Sequence, residues 1–477
     1  MTAVLAVVFG ILVVLIEAKR QKPFCLDFLR GVSCALVLAY SIVPIIFVYY
    51  KYNVNPARFY WIDLINYQDS YLNTMALFIV FIGYTAILSG YIWALKFPFV
   101  KNSARFVYSS LSRISRKTYL FIAIFISMVS LVLLIAYVVR RQADLATLLR
   151  YSGALRVGQP VPGIAESSFT LLTWSMTGIT ATFILFGLLL DNQTRVRGRR
   201  RCRNFLLSNI IITILFFLMV IVSLIVLWMR AGRLHLGNFF LVFALLVFLY
   251  TSSRFVRIFS FALVSVIAWV ILVAGKYLLG IAPAWYQPEA GSDFLQLFAL
   301  EFSFPFLSLI NAVDQLVSYR VFLDYLIAPV YTVLPPIVKI VTGSNLSLIN
   351  SVAKENTSMI LGTTALGEIP VDIITFGYFN LNVPGVIVTG FLFGAGLAWM
   401  EQVFPENTQG VLRVLRISYI VFLSTIGTLY ADPVNVLRDG FYLIFPTALL
   451  ITVGALTKRP APRWNGMRRS SPLPPCK

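Results

Sequence analysis

From Asn204 to Met229 the chain reads NFLLSNIIITILFFLMVIVSLIVLWM, without one Asp, Glu, Lys or Arg. A helix crosses the hydrocarbon core of a bilayer in roughly 20 predominantly apolar residues, and this run exceeds that length. It is bounded by RVRGRRRCR over Arg195–Arg203 on one side and by Arg230 and Arg233 on the other. Such a stretch between basic anchors predicts a membrane span. The pattern recurs at Thr2–Ile16, Gly31–Tyr50, Leu72–Leu95, Thr118–Val139 and Ser168–Leu190 before it. It recurs after it at Leu236–Tyr250, Ile258–Ala274, Ile373–Met400, Ile417–Leu429 and Gly440–Leu456, again without charge.

Composition agrees. Of 477 residues, 59% are hydrophobic and 12% charged, about half the roughly 25% typical of soluble proteins. These figures exclude a soluble enzyme, a disordered chain and a disulfide scaffold. His235 is the only histidine, which excludes a multi-histidine metal site. No GxGxxG, P-loop, GxSxG or HExxH pattern appears, so nucleotide chemistry has no support.

The formal net charge of +20 in a soluble chain would point to nucleic acid. In a membrane chain it is first an orientation signal. With the N-terminus outside, the inside segments are Glu17–Arg30, Lys96–Lys117, Asp191–Arg203, Arg254–Arg257, Glu401–Arg416 and the C-terminal tail. They hold 26 of 39 basic and 5 of 19 acidic residues, leaving +21 inside and −1 outside. The first span lacks a basic region before it and a small-residue cleavage site after it, so it reads as retained rather than as a signal peptide. Cys25, Cys34, Cys202 and Cys476 fall inside or within a span, which predicts no disulfide. The Arg195–Arg203 run reads as an inside anchor, with anionic lipid or nucleic acid as the alternative.

The predicted fold is an all-α polytopic membrane protein of about 11 transmembrane helices, N-out and C-in. A single transmembrane domain covers 1–457 and includes a large outer loop at 280–372; 458–477 is a disordered cytoplasmic tail. Within the loop, Pro305 opens a helical pattern. Phe306, Leu309, Ile310 and Val313 share one face and Ser308, Asn311 and Gln315 the other, which predicts an amphipathic helix lying at the outer interface. Val321–Val341, broken by Asp324, Pro329, Pro335 and Pro336, reads either as a second such helix or as a re-entrant pair.

Uncharged spans speak against ion-coupled transport, which uses ionisable groups within the membrane. Chemistry is expected at the outer interface instead. Arg230 and Arg233 flank a very short outer turn beside His235, and two guanidinium groups so placed either bind one anion or snorkel to the interface. Arg320 stands one turn before Asp324, as a salt bridge or an anion ligand. Arg438, beside Asp439, reads mainly as a boundary residue. Glu301, Glu355, Glu368 and Asp372 are outer carboxylates with apolar neighbours, and burial raises a carboxyl pKa toward the range of a general base.

From Glu301 to Glu401 the chain resembles the bacterial oligosaccharide repeat-unit polymerases, the O-antigen and capsule polymerase (Wzy-like) group. The resemblance lies in Glu301-Phe302-Ser303, Leu334-Pro335-Pro336 and the Gly/Thr-rich Leu361–Gly367 ending in Glu368. Phe376-Gly377-Tyr378, Pro384-Gly385, the Gly390–Gly396 helix and, more weakly, Arg233 extend it. Pro336 stands where many members place a basic residue, and the Arg140–Glu166 loop has no clear spaced Arg–Gly signature.

The resemblance implies a membrane-embedded glycosyltransferase of the GT-C type in the bacterial inner membrane. It would transfer a glycan from polyprenyl diphosphate onto the next lipid-linked unit, without metal or other cofactor. Arg230, Arg233 and Arg320 would bind the diphosphates; Glu301 and Glu368 would serve acid–base or hydroxyl-orienting roles. Implied partners are polyprenyl-diphosphate-linked glycans, membrane lipid, a chain-length regulator protein and a flippase, and no nucleic acid. An O-antigen ligase and a lipid-linked oligosaccharide flippase remain as alternatives.

Overall fold

The computed structural model describes residues 1–20, 25–53, 65, 69–156, 160–165, 169–196, 203–250, 254–269, 302–315, 320–325, 328, 351–362 and 368–457. Among these residues the secondary structure is helical, with no strand. Among the described residues nine helices are long and apolar enough to cross a membrane. Many of their large apolar side chains point outward, among them Leu15 of the first helix, Phe121 and Ile214. An exterior this apolar suits lipid, not water.

In chain order the elements are α1 (Thr2–Arg20), α2 (Phe28–Val37), a π turn (Leu38–Ile42), α3 (Val43–Asn53), α4 (Ser70–Lys96), α5 (Pro98–Arg113) and α6 (Arg116–Arg141). Two short helices follow, α7 (Leu145–Arg150) and α8 (Ser152–Arg156), then α9 (Thr170–Ser175), α10 (Thr177–Val196), α11 (Arg203–Met229), α12 (Arg233–Tyr250) and α13 (Arg254–Trp269). The last third holds α14 (Phe304–Asp314), α15 (Val352–Leu361), α16 (Ile373–Val403), α17 (Gly410–Leu429) and α18 (Pro433–Leu456). Wherever their residues are described, Gly31–Tyr50 is divided among α2, the π turn and α3, Ser168–Leu190 between α9 and α10, and each other expected span lies on one helix. The shorter α12 and α13 carry the seventh and eighth.

Local sequence fixes the starts. Asp69, Ser115, Asp144, Ser351, Asp372 and Asp432 each accept a backbone N–H of the first turn that follows them. A side chain of this kind satisfies donors that the helix cannot, and a carboxylate also meets the positive end of the helix dipole. Four of the expected outer carboxylates, Asp69, Asp144, Asp372 and Asp432, are therefore committed to capping. Asp372, one of the candidate bases, is fully buried in this role.

The closest packing joins α4 to α16. A Cβ on Gly90 would fall 2.0 Å from the Phe391 carbonyl oxygen, and one on Gly394 would fall 1.9 Å from that of Ile87. In lipid, helices associate by van der Waals contact rather than by expelling water, so small residues that let backbones touch decide the pairing. α16 breaks at Leu381 and Asn382, just before Pro384, which cannot continue the hydrogen-bond ladder. α10 sits centrally against α6, α11, α17 and α18. Its buried Thr180 donates to the Tyr442 carbonyl, and Thr182 shares a hydrogen bond of 3.1 Å with Ser223.

Two expectations change. Ser308 and Asn311 do not face water: α14 is buried on all sides from Phe304 to Ala312, against α4, α16 and the π turn. Its polar face is satisfied inside the protein, where Asn356 donates to Ser308 at 3.0 Å and Asn311 donates toward Asn356. A polar stripe marks hydrogen-bonding partners, and here the partner is α15 instead of solvent. The spans are also not free of charge, because the helices run past the apolar runs. α18 starts seven residues before Gly440 and takes in Arg438 and Asp439, while α16 extends to include Glu401. At that end Arg416 donates to Glu401 at 2.9 Å, and Arg20 and Arg30 bond Glu17 and Asp27 near the start of α2.

Gly90→Val and Gly394→Val should each push α4 from α16 and destabilise the protein by roughly 1–3 kcal/mol, the usual cost of overpacking. Gly396→Ala, with nothing within 4 Å of its Cβ, should be neutral. The midpoint of thermal unfolding in detergent distinguishes them.

Candidate functional site: an arginine cluster at the α18 start

At the end of the bundle opposite Glu401, α11 gives way to α12 through Arg230, Ala231 and Gly232. Ala231 adopts φ 50°, in the left-handed region that alanine enters at a cost, and this sharp turn presents its carbonyl back toward α8. The Arg156 guanidinium, from the end of α8, donates to that carbonyl at 2.5 Å. Arg230 donates to Thr173 of α9 at 2.6 Å and pairs with Asp439 of α18. Arg438 reaches Asp439 at 3.3 Å and Glu368 at 3.5 Å, and it also donates to Asn435. The α11–α12 turn and α18 thus bring Arg230 and Arg438 to one carboxylate, and α8 sets Arg156 on the same turn.

The electrostatics follow from that count. Burial pulls the Arg230 guanidinium down to about 10; Asp439 opposes the shift, and Arg438 and Arg156 add to it. Burial lowers Arg156 as well, with Arg233 and Arg438 acting in the same direction against Tyr430 and Asp439. Arg233 therefore belongs to the cluster by charge. His235 lies within it too, with its ring edge-to-face on Tyr442 and its Nε2 buried without a hydrogen-bond partner. A buried pair of charges is held by geometry and by the neighbours that satisfy its remaining donors. The cluster holds more cations than Asp439 balances, and its open edge is Arg438 and Glu368, whose side chains are 44% and 31% exposed.

A second charged centre adjoins it. Arg320 bonds Asp324 through two nitrogens at 2.8 and 2.9 Å and also pairs with Glu355. Burial works against its charge, but Asp324 and then Glu355 more than offset this and hold its pKa up. Asp432 lies between the two centres. Burial raises its pKa, the N–H groups of Ala353 and Val434 oppose the rise, and Asp324 and Glu368 contribute to it from either side.

Of the residues singled out from sequence, Arg230, Arg233 and Glu368 come together. Arg320 does not join them: it is occupied by two carboxylates of its own. Glu301 lies outside the described residues. Arg156 and Asp439 are additions, and Arg438 proves to be more than a boundary residue. The adjacent Arg438-Asp439 just before an apolar run was the available signal. Nothing in the local pattern around Arg156 distinguishes it from Arg140, Arg141 or Arg150. Among the described residues no group of three or more His, Cys, Asp or Glu side chains gathers as metal ligands would.

The arrangement suits a multivalent anion. Guanidinium groups present paired N–H donors that match phosphate oxygens and stay charged at any working pH. The comparisons add no relative: no family model, no curated protein and no solved structure matches the chain.

Asp439→Asn should cost roughly 3–5 kcal/mol by leaving the buried Arg230 charge uncompensated. The double variant Arg230→Met with Asp439→Leu should recover most of that loss. Thermal midpoints of the single and double variants in detergent measure it.

Proposed function

We propose that the chain is a multi-pass glycosyltransferase of the bacterial inner membrane that polymerises polyprenyl-diphosphate-linked oligosaccharide units at the outer face. The observation that carries this reading is the pairing of Arg230 and Arg438 with Asp439 at the bundle end, with Arg156 on the adjoining Ala231 carbonyl and Arg233 acting on Arg156. A membrane-linked diphosphate matches this gathering of guanidinium groups. The basic excess of the opposite loops supports a cytoplasmic position for that opposite end.

In this scheme the acceptor hydroxyl oxygen attacks the anomeric carbon of the donor glycan as the bond from that carbon to the diphosphate oxygen breaks. The hydroxyl proton passes to Glu368. The electron pair leaves with polyprenyl diphosphate, where the guanidinium groups stabilise the growing charge. Arg438 touches both Glu368 and Asp439, so it links the proton acceptor to the anion site. No metal is required, because fixed cations occupy the place a divalent ion would take. Arg320 serves this scheme as a structural clamp and not as a diphosphate ligand.

Arg233→Ala, Arg438→Ala and Glu368→Gln should each reduce long glycan chains about a hundredfold or more, with protein levels unchanged. Single lipid-linked units should accumulate on the outer face. Wild-type chain lengths in all three would overturn the assignment. Accumulation of units inside the cell would instead identify a flippase, and finished but unattached polymer a ligase.

A further inference from the structure

At the other end of the bundle lies a feature that this scheme does not use. Between Lys96 and Lys117 the chain carries six basic residues (Lys96, Lys101, Arg105, Arg113, Arg116 and Lys117) and no acidic one. The helix α5 occupies this interval. Phe97 alone joins it to α4, and Ile114 and Ser115 join it to α6. Both neighbours are long enough to cross the membrane, so α5 is held at the level where they leave the hydrocarbon.

One face of α5 is fixed to the protein. Ala104, Ser110 and Leu111 are buried, and the Ser110 carbonyl oxygen lies 2.0 Å from where a Cβ on Gly454 of α18 would stand. Trp399 of α16 donates through Nε1 to Ser103 at 3.1 Å. The opposite face is not covered: Phe99 is 73% and Phe106 59% exposed, and Arg105 and Asn102 are exposed alongside them. At 100° per residue Phe99 and Phe106 share one edge of that face, and Lys101 and Arg105 lie on the other. Trp93 stacks on Phe97 at 4.5 Å just before the helix, both rings half-exposed.

We propose that this face of α5, together with the exposed Lys96 and Lys117 that flank the helix, binds the headgroups of anionic phospholipids. Orientation of the chain requires only that basic residues be numerous on this side. It does not require large apolar rings beside them. Exposed Phe with basic residues on one amphipathic helix is the arrangement that buries rings at the headgroup–acyl boundary and sets cations against lipid phosphate. An acidic soluble protein would match the charge, but a surface at this depth meets lipid first, and the aromatic pair before the helix is of the kind found at that boundary. The inference stands apart from the glycan reading, since it concerns the other end of the bundle.

The test uses the full-length protein extracted from vesicles of mixed phosphatidylglycerol and phosphatidylcholine, with retained lipid counted by native mass spectrometry. Wild-type protein should retain phosphatidylglycerol in preference to phosphatidylcholine. The preference should fall about fivefold for each basic residue removed in Lys96→Gln, Arg105→Gln and Lys117→Gln. These three side chains are exposed, so the fold should survive. Arg468→Gln with Arg469→Gln, in the C-terminal tail, should leave the preference unchanged. Raising the salt concentration on wild-type protein should weaken it, which tests the proposal without any variant. An equal preference in the triple variant and the wild type, no selectivity in the wild type, or a preference indifferent to salt would each overturn the assignment.

Discussion

A charge inside hydrocarbon is tolerated only when it is paired, hydrogen-bonded or able to reach the interface, and this sorts the whole molecule. The middle of the bundle is apolar or carries hydroxyls that bond to backbone carbonyls, as Ser127, Thr182 and Ser418 do. Ionic groups gather at the two ends. At one end Glu17, Arg20, Asp27 and Arg30 tie α1 to α2, and Glu401 with Arg416 ties α16 to α17. The Phe28 N–H, donating to Glu401 at 3.3 Å, connects the two groups. At the other end Asp439 performs the same office for α11 and α18.

The two ends nevertheless differ in balance. Around Glu401 the carboxylates Glu17, Asp27 and Glu401 answer Arg20, Arg30 and Arg416 one for one. Around Asp439, that carboxylate pairs with Arg230 and Arg438 and the part-exposed Glu368 meets Arg438, while Arg156 acts on Arg230 and Arg233 on Arg156. Gathering guanidinium groups in one place costs stability by mutual repulsion, and the field they create suits an anion. The same end has the sharper backbone, with the left-handed Ala231 in the turn that carries Arg230. Strain and unbalanced charge at one place mark a binding site more firmly than either alone.

The spans were legible because apolar length is a local property: from Asn204 to Met229 no contact elsewhere in the chain is needed to read a helix. Caps such as Asp69 and Ser351 are equally local, but the apolar runs alone set the expected boundaries, so the expected span began at Leu72 rather than Ser70 and the helix after Ser351 was missed. What sequence could not show was pairing. Arg156 and Ala231 are 75 residues apart, and Arg230 and Asp439 are 209 apart, so no spacing rule connects them. The α14 helix failed for a related reason. Its polar stripe was read as a solvent face, whereas Ser308 and Asn311 bond to Asn356, about 50 positions later in the chain. Helical periodicity tells which residues share a face; it does not tell whether water or another helix meets that face.

The capping pattern narrows the question of which carboxylate can take a proton. At the Asp439 end, a carboxylate whose oxygens already accept backbone N–H groups has its lone pairs committed and little room to receive an acceptor hydroxyl. Asp69, Asp144, Asp372 and Asp432 are all held in this way. Asp324 and Glu355 are held by Arg320, and Asp439 by Arg230. Asp314 is exposed at the end of α14. Glu368 combines the remaining requirements: it caps no helix, its side chain is part exposed, and its contact with Arg438 is long at 3.5 Å. A contact of that length leaves room for an acceptor hydroxyl to approach the carboxylate while the guanidinium turns to an incoming phosphate. The resemblance pointed to Glu368 through the Gly-Glu ending of a Gly/Thr-rich stretch; among the described residues the hydrogen bonds favour it because the neighbouring carboxylates are already engaged.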